Sequence, residues 1–245
     1  MSLSQPGNGR FATTHWSVVL AAGKSSPSSP SAHHAMETLC RTYWFPLYAY
    51  LRRKGTSAHQ AEDLVQAFFA RLLEKRDFNS ADPHKGKFRS YLLAGLNHFV
   101  ANQYARDHAQ KRCPTQTPIA LGAVNAENRY ELEPSFQLSP EKLFEKQWAL
   151  TLIDRTLRRL QDEHARADKN QLFDQLKLTL TAAKDAVPYR QIAEKLGMTE
   201  GAIKTAVHRL RKRCRQLLRE EIAHTVADES QIDEEIRDLF NALGQ

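Results

Sequence analysis

Lys204, Thr205, His208, Arg209, Lys212 and Arg215 recur at helical spacing toward the C-terminal end of the chain. At 3.6 residues per turn they share one side of a helix, while Ile203, Val207, Leu210, Cys214 and Leu217 share the other. Cations and short polar side chains in that array neutralise phosphates and donate to base edges. They do not form a nucleophile with its base. Residues 199–219 hold seven Lys or Arg and one acid, a net of +6. A solvated basic face is the plainer explanation of such a run. The charge density and the turn that precedes it favour DNA.

That turn is what positions the basic face. Pro188 suits the first position of a helix, where its missing N–H costs nothing. Tyr189, Ile192, Ala193 and Leu196 give this helix one apolar side. Gly197 follows the last periodic residue, as a left-handed cap requires. Thr199 can then cap the second helix through its hydroxyl. Small Ala193 and Gly197 allow two helices to cross closely, so residues 187–219 read as a helix-turn-helix with its second helix suited to a major groove.

Other chemistries find little support. There is no Gly-rich phosphate loop, HExxH pair or nucleophile elbow, so an enzyme is not expected. His15, His59, His98, His108, His164 and His224 lack ligand spacing, and His33 and His34 are neighbours that point apart on a helix. Cys40, Cys113 and Cys214 are odd in number and far apart, which fits neither a disulfide framework nor a zinc site. No metal or cofactor is called for. The net charge of +7 favours a polyanionic partner. No apolar run approaches the ~20 residues of a membrane span, and no signal peptide is evident; a cytoplasmic protein is expected.

Helical periodicity recurs along the chain and strand alternation is absent. The expectation is an all-α fold of two small helical domains joined by a flexible linker, the second containing the helix-turn-helix. Residues 1–34 form an N-terminal extension, with a short docked helix near Trp16, Val19 and Leu20. Residues 35–53 are helical in pattern, and Pro46 should kink that helix or start another. Ser57 and Gln60 match a capping box. The helix that follows has two stripes. Ala61, Leu64, Val65, Phe68 and Leu72 form a core stripe, and Glu62, Gln66, Phe69 and Leu73 form a second. A partner surface and unusually deep burial explain the second stripe equally well. Residues 78–87 form a loop offering Lys85 and Lys87 to phosphate. The helix after it mixes Tyr91, Leu92, Leu96, Phe99 and Val100 with Arg89, Asn97, Asn102, Gln103 and Arg106, a weak signature for unstacked bases. Residues 113–138 carry Pro114, Pro118, Gly122 and Pro134 and read as linker. Ser139 and Pro140 restart a helix.

Three stretches resemble the extracytoplasmic-function (ECF) class of bacterial RNA polymerase sigma factors. AEDLVQAFFARLLE (61–74) is similar to that family's polymerase-binding helix. KFRSYLLAGLNHFVANQYARDHAQKR (87–112) is similar to the helix that engages the −10 promoter element. YRQIAEKLGMTEGAIKTAVHRLRKRCRQLL (189–218) is similar to the region that reads the −35 element. The resemblance implies region 2 at 35–112, region 4 at 139–225 and an acidic C-terminal helix at 226–245. It implies polymerase contacts by Glu62, Asp63, Leu64, Gln66, Phe69 and Leu73, which assigns the second stripe to a partner. It implies −10 contacts by Asn79, Lys85, Lys87, Arg89, Asn102, Gln103 and Arg106. It implies −35 contacts by Thr199, Lys204, Thr205, His208, Arg209, Arg211, Lys212 and Arg215. Implied partners are core RNA polymerase, promoter DNA and an anti-sigma factor or other regulator, with the chain itself a monomer. A stand-alone helix-turn-helix regulator would explain residues 187–219 as well, but not the 61–74 helix.

The C-terminal end adds a question of its own. Residues 220–245 hold eight acids and one base, net −7, directly after the basic run. The apolar stripe of Ile232, Ile236, Leu239 and Phe240 favours simple completion of the core with the acids in water. The alternative lays the acids over Lys204, Arg209 and Lys212.

Overall fold

The computed structural model describes residues 30–75, 87–109, 126–131, 137–180, 188–226 and 229–244. All regular structure among them is helical: α1 (Pro30–Arg53), α2 (Ala58–Lys75), α3 (Phe88–Ala109), α4 (Ala126–Glu131), α5 (Pro140–Arg166), α6 (Asn170–Leu176), α7 (Tyr189–Leu196), α8 (Glu200–Ala223) and α9 (Ile232–Leu243). Short 3-10 turns at Lys177–Leu180 and Glu229–Gln231 adjoin α6 and α9. The docked helix expected near Trp16 lies outside the described residues, as do Asn79, Lys85 and Cys113.

There are two apolar cores. The first gathers Tyr43, Leu47, Tyr48 and Leu51 of α1, Val65, Phe68 and Phe69 of α2, and Phe88, Leu92 and Leu96 of α3. Phe144, Trp148 and Leu152 from the first half of α5 join it, with Ile222, Ile232, Leu239 and Ala242. The second core gathers Leu160, Phe173, Leu176, Ile192, Ile203, Val207, Leu210 and Leu217. The long helix α5 thus serves both, packing against α1 and against α8. Each fully buried Leu or Phe contributes about 1.5–3 kcal/mol, so α5 is the main energetic link between the halves.

Local chemistry explains the element ends. Ser139 accepts from the Lys142 N–H at 3.3 Å and Pro140 occupies the first turn of α5, as its sequence predicts. The Gln60 N–H reaches Ser57 Oγ at 3.4 Å, the first bond of a capping box, and the Ser57 hydroxyl donates to Gln60 Oε1 at 3.0 Å, a side-chain pair rather than the reciprocal bond from the Ser57 N–H. Gly95 of α3 faces Phe68 of α2, where an added Cβ would sit 3.4 Å from the ring, in van der Waals contact.

Three expectations need correction. Of the two outcomes expected at Pro46, the start of a second helix does not occur; α1 runs through it as one helix. Residues 42–51 are all buried, so packing on every side offsets the hydrogen bond that Pro46 cannot donate. Residues 113–138 are not featureless, because α4 lies within them. Its Glu127 accepts from Arg52 Nε at 2.9 Å and from the Tyr48 hydroxyl, and Arg129 sits 3.8 Å from the Phe45 ring centroid. A six-residue helix is too short to show periodicity, and its ties to α1 are polar and non-local.

The third correction concerns the acidic end. Ile232 and Leu239 do complete the first core, but Phe240 remains exposed. The acids neither all face water nor cover Lys204, Arg209 and Lys212. Lys87 donates to Asp238 and pairs with Glu234 at 3.0 Å, while Arg89 pairs with Glu235 and, at 2.8 Å, with Asp238. The acids of α9 thus meet a basic partner, but it lies in the other half of the chain.

Candidate nucleic-acid and polymerase interfaces

The helix-turn-helix is built as its residue types require. Gly197 takes φ 64°, in the left-handed region, and the Met198 N–H returns to the Ala193 carbonyl at 2.9 Å. The Thr199 hydroxyl oxygen accepts from the Ala202 N–H at 3.2 Å and starts α8. Pro188 sits one position before the helix rather than at its first residue. Ile203, Val207, Leu210 and Leu217 are buried against α5, α6 and α7. Cys214 is half-buried, and burial raises its thiol pKa; the buried Cys40 thiol is pushed up to about 12. Both behave as small core residues, not as nucleophiles.

The opposite side of α8 exposes Lys204, Thr205, His208, Arg209, Lys212 and Arg215 together. Lys204 bonds Glu200 one turn back at 2.7 Å, and the Thr205 hydroxyl donates to the Gly201 carbonyl at 3.0 Å. Arg209, Lys212 and Arg215 have no partner among the described residues. Three other arginines of the basic run are engaged within the chain, Arg219 in a solvent-exposed pair. Arg211 donates twice to the Thr179 carbonyl, at 3.1 and 2.6 Å. Arg213 pairs with Glu163 at 2.6 Å, and Arg219 pairs with Asp233. Arg211 therefore differs from its expected role beside DNA: its guanidinium secures the 3-10 turn before α7.

On α2, Asp63 is exposed, and Glu62, Leu64 and Gln66 are half-buried. Phe69 is not on that surface. It is 3 % exposed and packs 5.7 Å from Phe68, within the first core. The second stripe is therefore split: its polar members reach solvent, and its aromatic member fills the interior. The Leu73 side chain lies outside the description.

On α3, Asn102 and Arg106 are exposed one turn apart and Gln103 is half-buried. Asn102 edges a groove of about 260 Å³ between α2 and α3, lined also by Phe68, Arg71, Tyr91, His98 and Phe99. Arg89, expected at a DNA surface, is instead 4 % exposed. Its guanidinium lies 4.4 Å from the Trp148 ring centroid and against Glu235 and Asp238. Lys87 is likewise engaged by α9. Nothing in the sequence near Arg89 signals this, because its partners on α9 are 146 and 149 residues away.

The burial of Glu235 pushes its carboxyl up, against the pull of Arg89. Asp238 is less enclosed. Its partial burial works upward, but the bonds from Lys87 and Arg89 outweigh it and hold Asp238 below the usual carboxylate range.

Comparison with known families bears directly on these surfaces. Residues 40–112 match the family model for Sigma-70 region 2, and residues 185–214 match that for Sigma-70, region 4. These two matches support a Sigma-70 family factor. Region 2 takes in α2 and α3 with most of α1, and region 4 takes in α7 and the first part of α8. No curated protein and no solved structure matches the chain. Among the described residues no helix is long and apolar enough to cross a membrane, and no cluster of metal-ligating side chains occurs.

Proposed function

We propose that this protein is a promoter-recognition subunit, a sigma factor of the ECF class that binds core RNA polymerase and directs initiation. The observation that carries the reading is the pairing of two Sigma-70 regions with a solvent-facing basic row on α8. In this reading Lys204, Thr205, His208 and Arg209 meet −35 base edges or phosphates, while Lys212 and Arg215 meet the backbone. Asn102, Gln103 and Arg106 approach the −10 element. Glu62, Asp63, Leu64 and Gln66 form the polymerase-facing side of α2. Phosphate neutralisation supplies most of the affinity, so binding falls steeply with salt. Base-edge contacts and capture of unstacked bases supply specificity. The chain performs no catalysis, since polymerase makes the phosphodiester bonds. It acts in the cytoplasm as a monomer and is open to control by an anti-sigma factor or another regulator.

Mobility shifts on a genomic fragment library test this reading against a stand-alone regulator. A sigma factor retains discrete fragments only when core polymerase is present. Retention of the same fragments by the chain alone, unchanged by polymerase, would assign it to the stand-alone class.

A further inference from the structure

The N-terminal end of α3 is a place built to hold an anion, and the chain's own C-terminal helix occupies it. Lys87 and Arg89 flank the first turn of a 22-residue helix, whose dipole favours negative charge. Three carboxylates converge there from α9. Asp238 bridges Lys87 and Arg89, Glu234 adds to Lys87 at 3.0 Å, and Glu235 meets Arg89 in the interior. The other side of α9 is apolar: Ile232, Leu239 and Ala242 sit in the first core, and α9 packs on α5 and α8. Arg219, on the far part of α8, holds its first turn through Asp233. Thus α9 joins the far part of α8 to the start of α3, which lies in the region 2 stretch. At residues 232–243 it lies outside both matched stretches.

We propose that α9 is an internal clasp: its carboxylates take the place of nucleic-acid phosphate at Lys87 and Arg89, and must leave before that end of α3 can bind a strand. The energetics favour exchange over simple opening. The Lys87 pairs are partly open to solvent and weak. The Arg89–Glu235 pair is almost fully enclosed, so withdrawing α9, with Glu235 and Asp238 together, leaves a buried cation with only Glu145 nearby, at 3.7 Å. An incoming phosphate removes that penalty by replacing one anion with another. The clasp thereby blocks strand binding in the free chain while leaving the basic face of α8 uncovered. That the anion is nucleic acid rests on the sigma-factor reading; the occupancy of the site by α9 does not.

The test uses the full chain and a labelled mixed-sequence single-stranded oligonucleotide. Glu234→Gln with Asp238→Asn removes the solvent-side carboxylates and keeps Glu235 and the apolar face. The expected result is about fivefold or tighter binding, abolished when Lys87→Gln is added. Unchanged affinity, or a gain that survives Lys87→Gln, overturns the clasp. A second measurement needs no variant: amide hydrogen exchange of residues 232–243 in the wild-type chain. Exchange there should accelerate when the oligonucleotide is added, and unaltered protection at saturation overturns the proposal. Failure of the clasp leaves polymerase-dependent fragment retention intact. Failure of the sigma-factor reading abolishes that retention and leaves the oligonucleotide results as they are.

Discussion

At the residue scale, burial separates the side chains that fold this protein from those free to meet a partner. Phe69 is the sharpest case. Its place in the 61–74 helix matches a partner-facing stripe, yet the ring is interior. Phe69→Ala should cost about 3–5 kcal/mol of stability, read as a lower urea midpoint. Glu62→Ala with Gln66→Ala should leave that midpoint unchanged and weaken co-elution with core polymerase. A stable Phe69→Ala protein would contradict the packing described. Arg209 and Arg211 form a second contrast, two residues apart on α8. Arg209→Ala should leave the melting temperature alone and weaken promoter binding by about 1–3 kcal/mol. Arg211→Ala should lower the melting temperature instead, by unsatisfying the Thr179 carbonyl at the end of the 3-10 turn. Reversal of the two phenotypes would mean that α8 presents a different face.

At the element scale, the seam between α5 and α8 is electrostatic as well as apolar. Glu221 is buried and accepts from Arg155 and Arg159, both at 2.8 Å. Burial pushes its carboxyl up, but the two guanidinium groups outweigh it and hold Glu221 below the usual range. The Arg213 guanidinium does the same for Glu163. For carboxylates depressed in the folded state, the stabilisation is present above the unfolded value near 4.5 and is lost as pH falls through the folded one. His224, lowered by burial from its ordinary 6.5, adds a loss that begins earlier on the way down. Glu235 runs the other way, because its raised carboxyl favours the folded state as it protonates. The expected result is a urea midpoint that falls below pH 6.5 and steepens below 4.5. Glu221→Gln should lower stability at pH 7 by about 1.5–3 kcal/mol and flatten the acid limb. An acid limb identical to wild type would remove Glu221 from the seam.

Elements with strong local signals were legible in sequence. The cap at Gly197, the Thr199 hydroxyl, the Ser139–Pro140 start and the alternating faces of α8 follow from backbone chemistry within a few residues. What escaped was packing. Helix α4 is held by Tyr48 and Arg52 far back in the chain, Phe69 is buried where α2 meets its neighbours α1 and α3, and Arg89 owes its burial to helices distant in sequence. The stripe on α9 was legible as a docking face, but charge proximity along the chain pointed its acids toward α8. Packing on α5 sends them to Lys87 and Arg89 instead.

At the scale of the whole molecule, α5 and α9 join two helical units into one body. Trp44 and Trp148 report on the first core, while far-ultraviolet ellipticity reports on every helix. Because α5 feeds both cores, the two signals should unfold in coincident transitions. Separate transitions would show that the halves behave as independent units. The central claim, that this chain gives core polymerase a promoter preference, is tested most directly by run-off transcription. Core polymerase with the purified chain should start discrete transcripts from a reproducible subset of genomic templates. Lys204→Ala with Arg209→Ala should suppress them. An identical transcript pattern with and without the chain would contradict the claim.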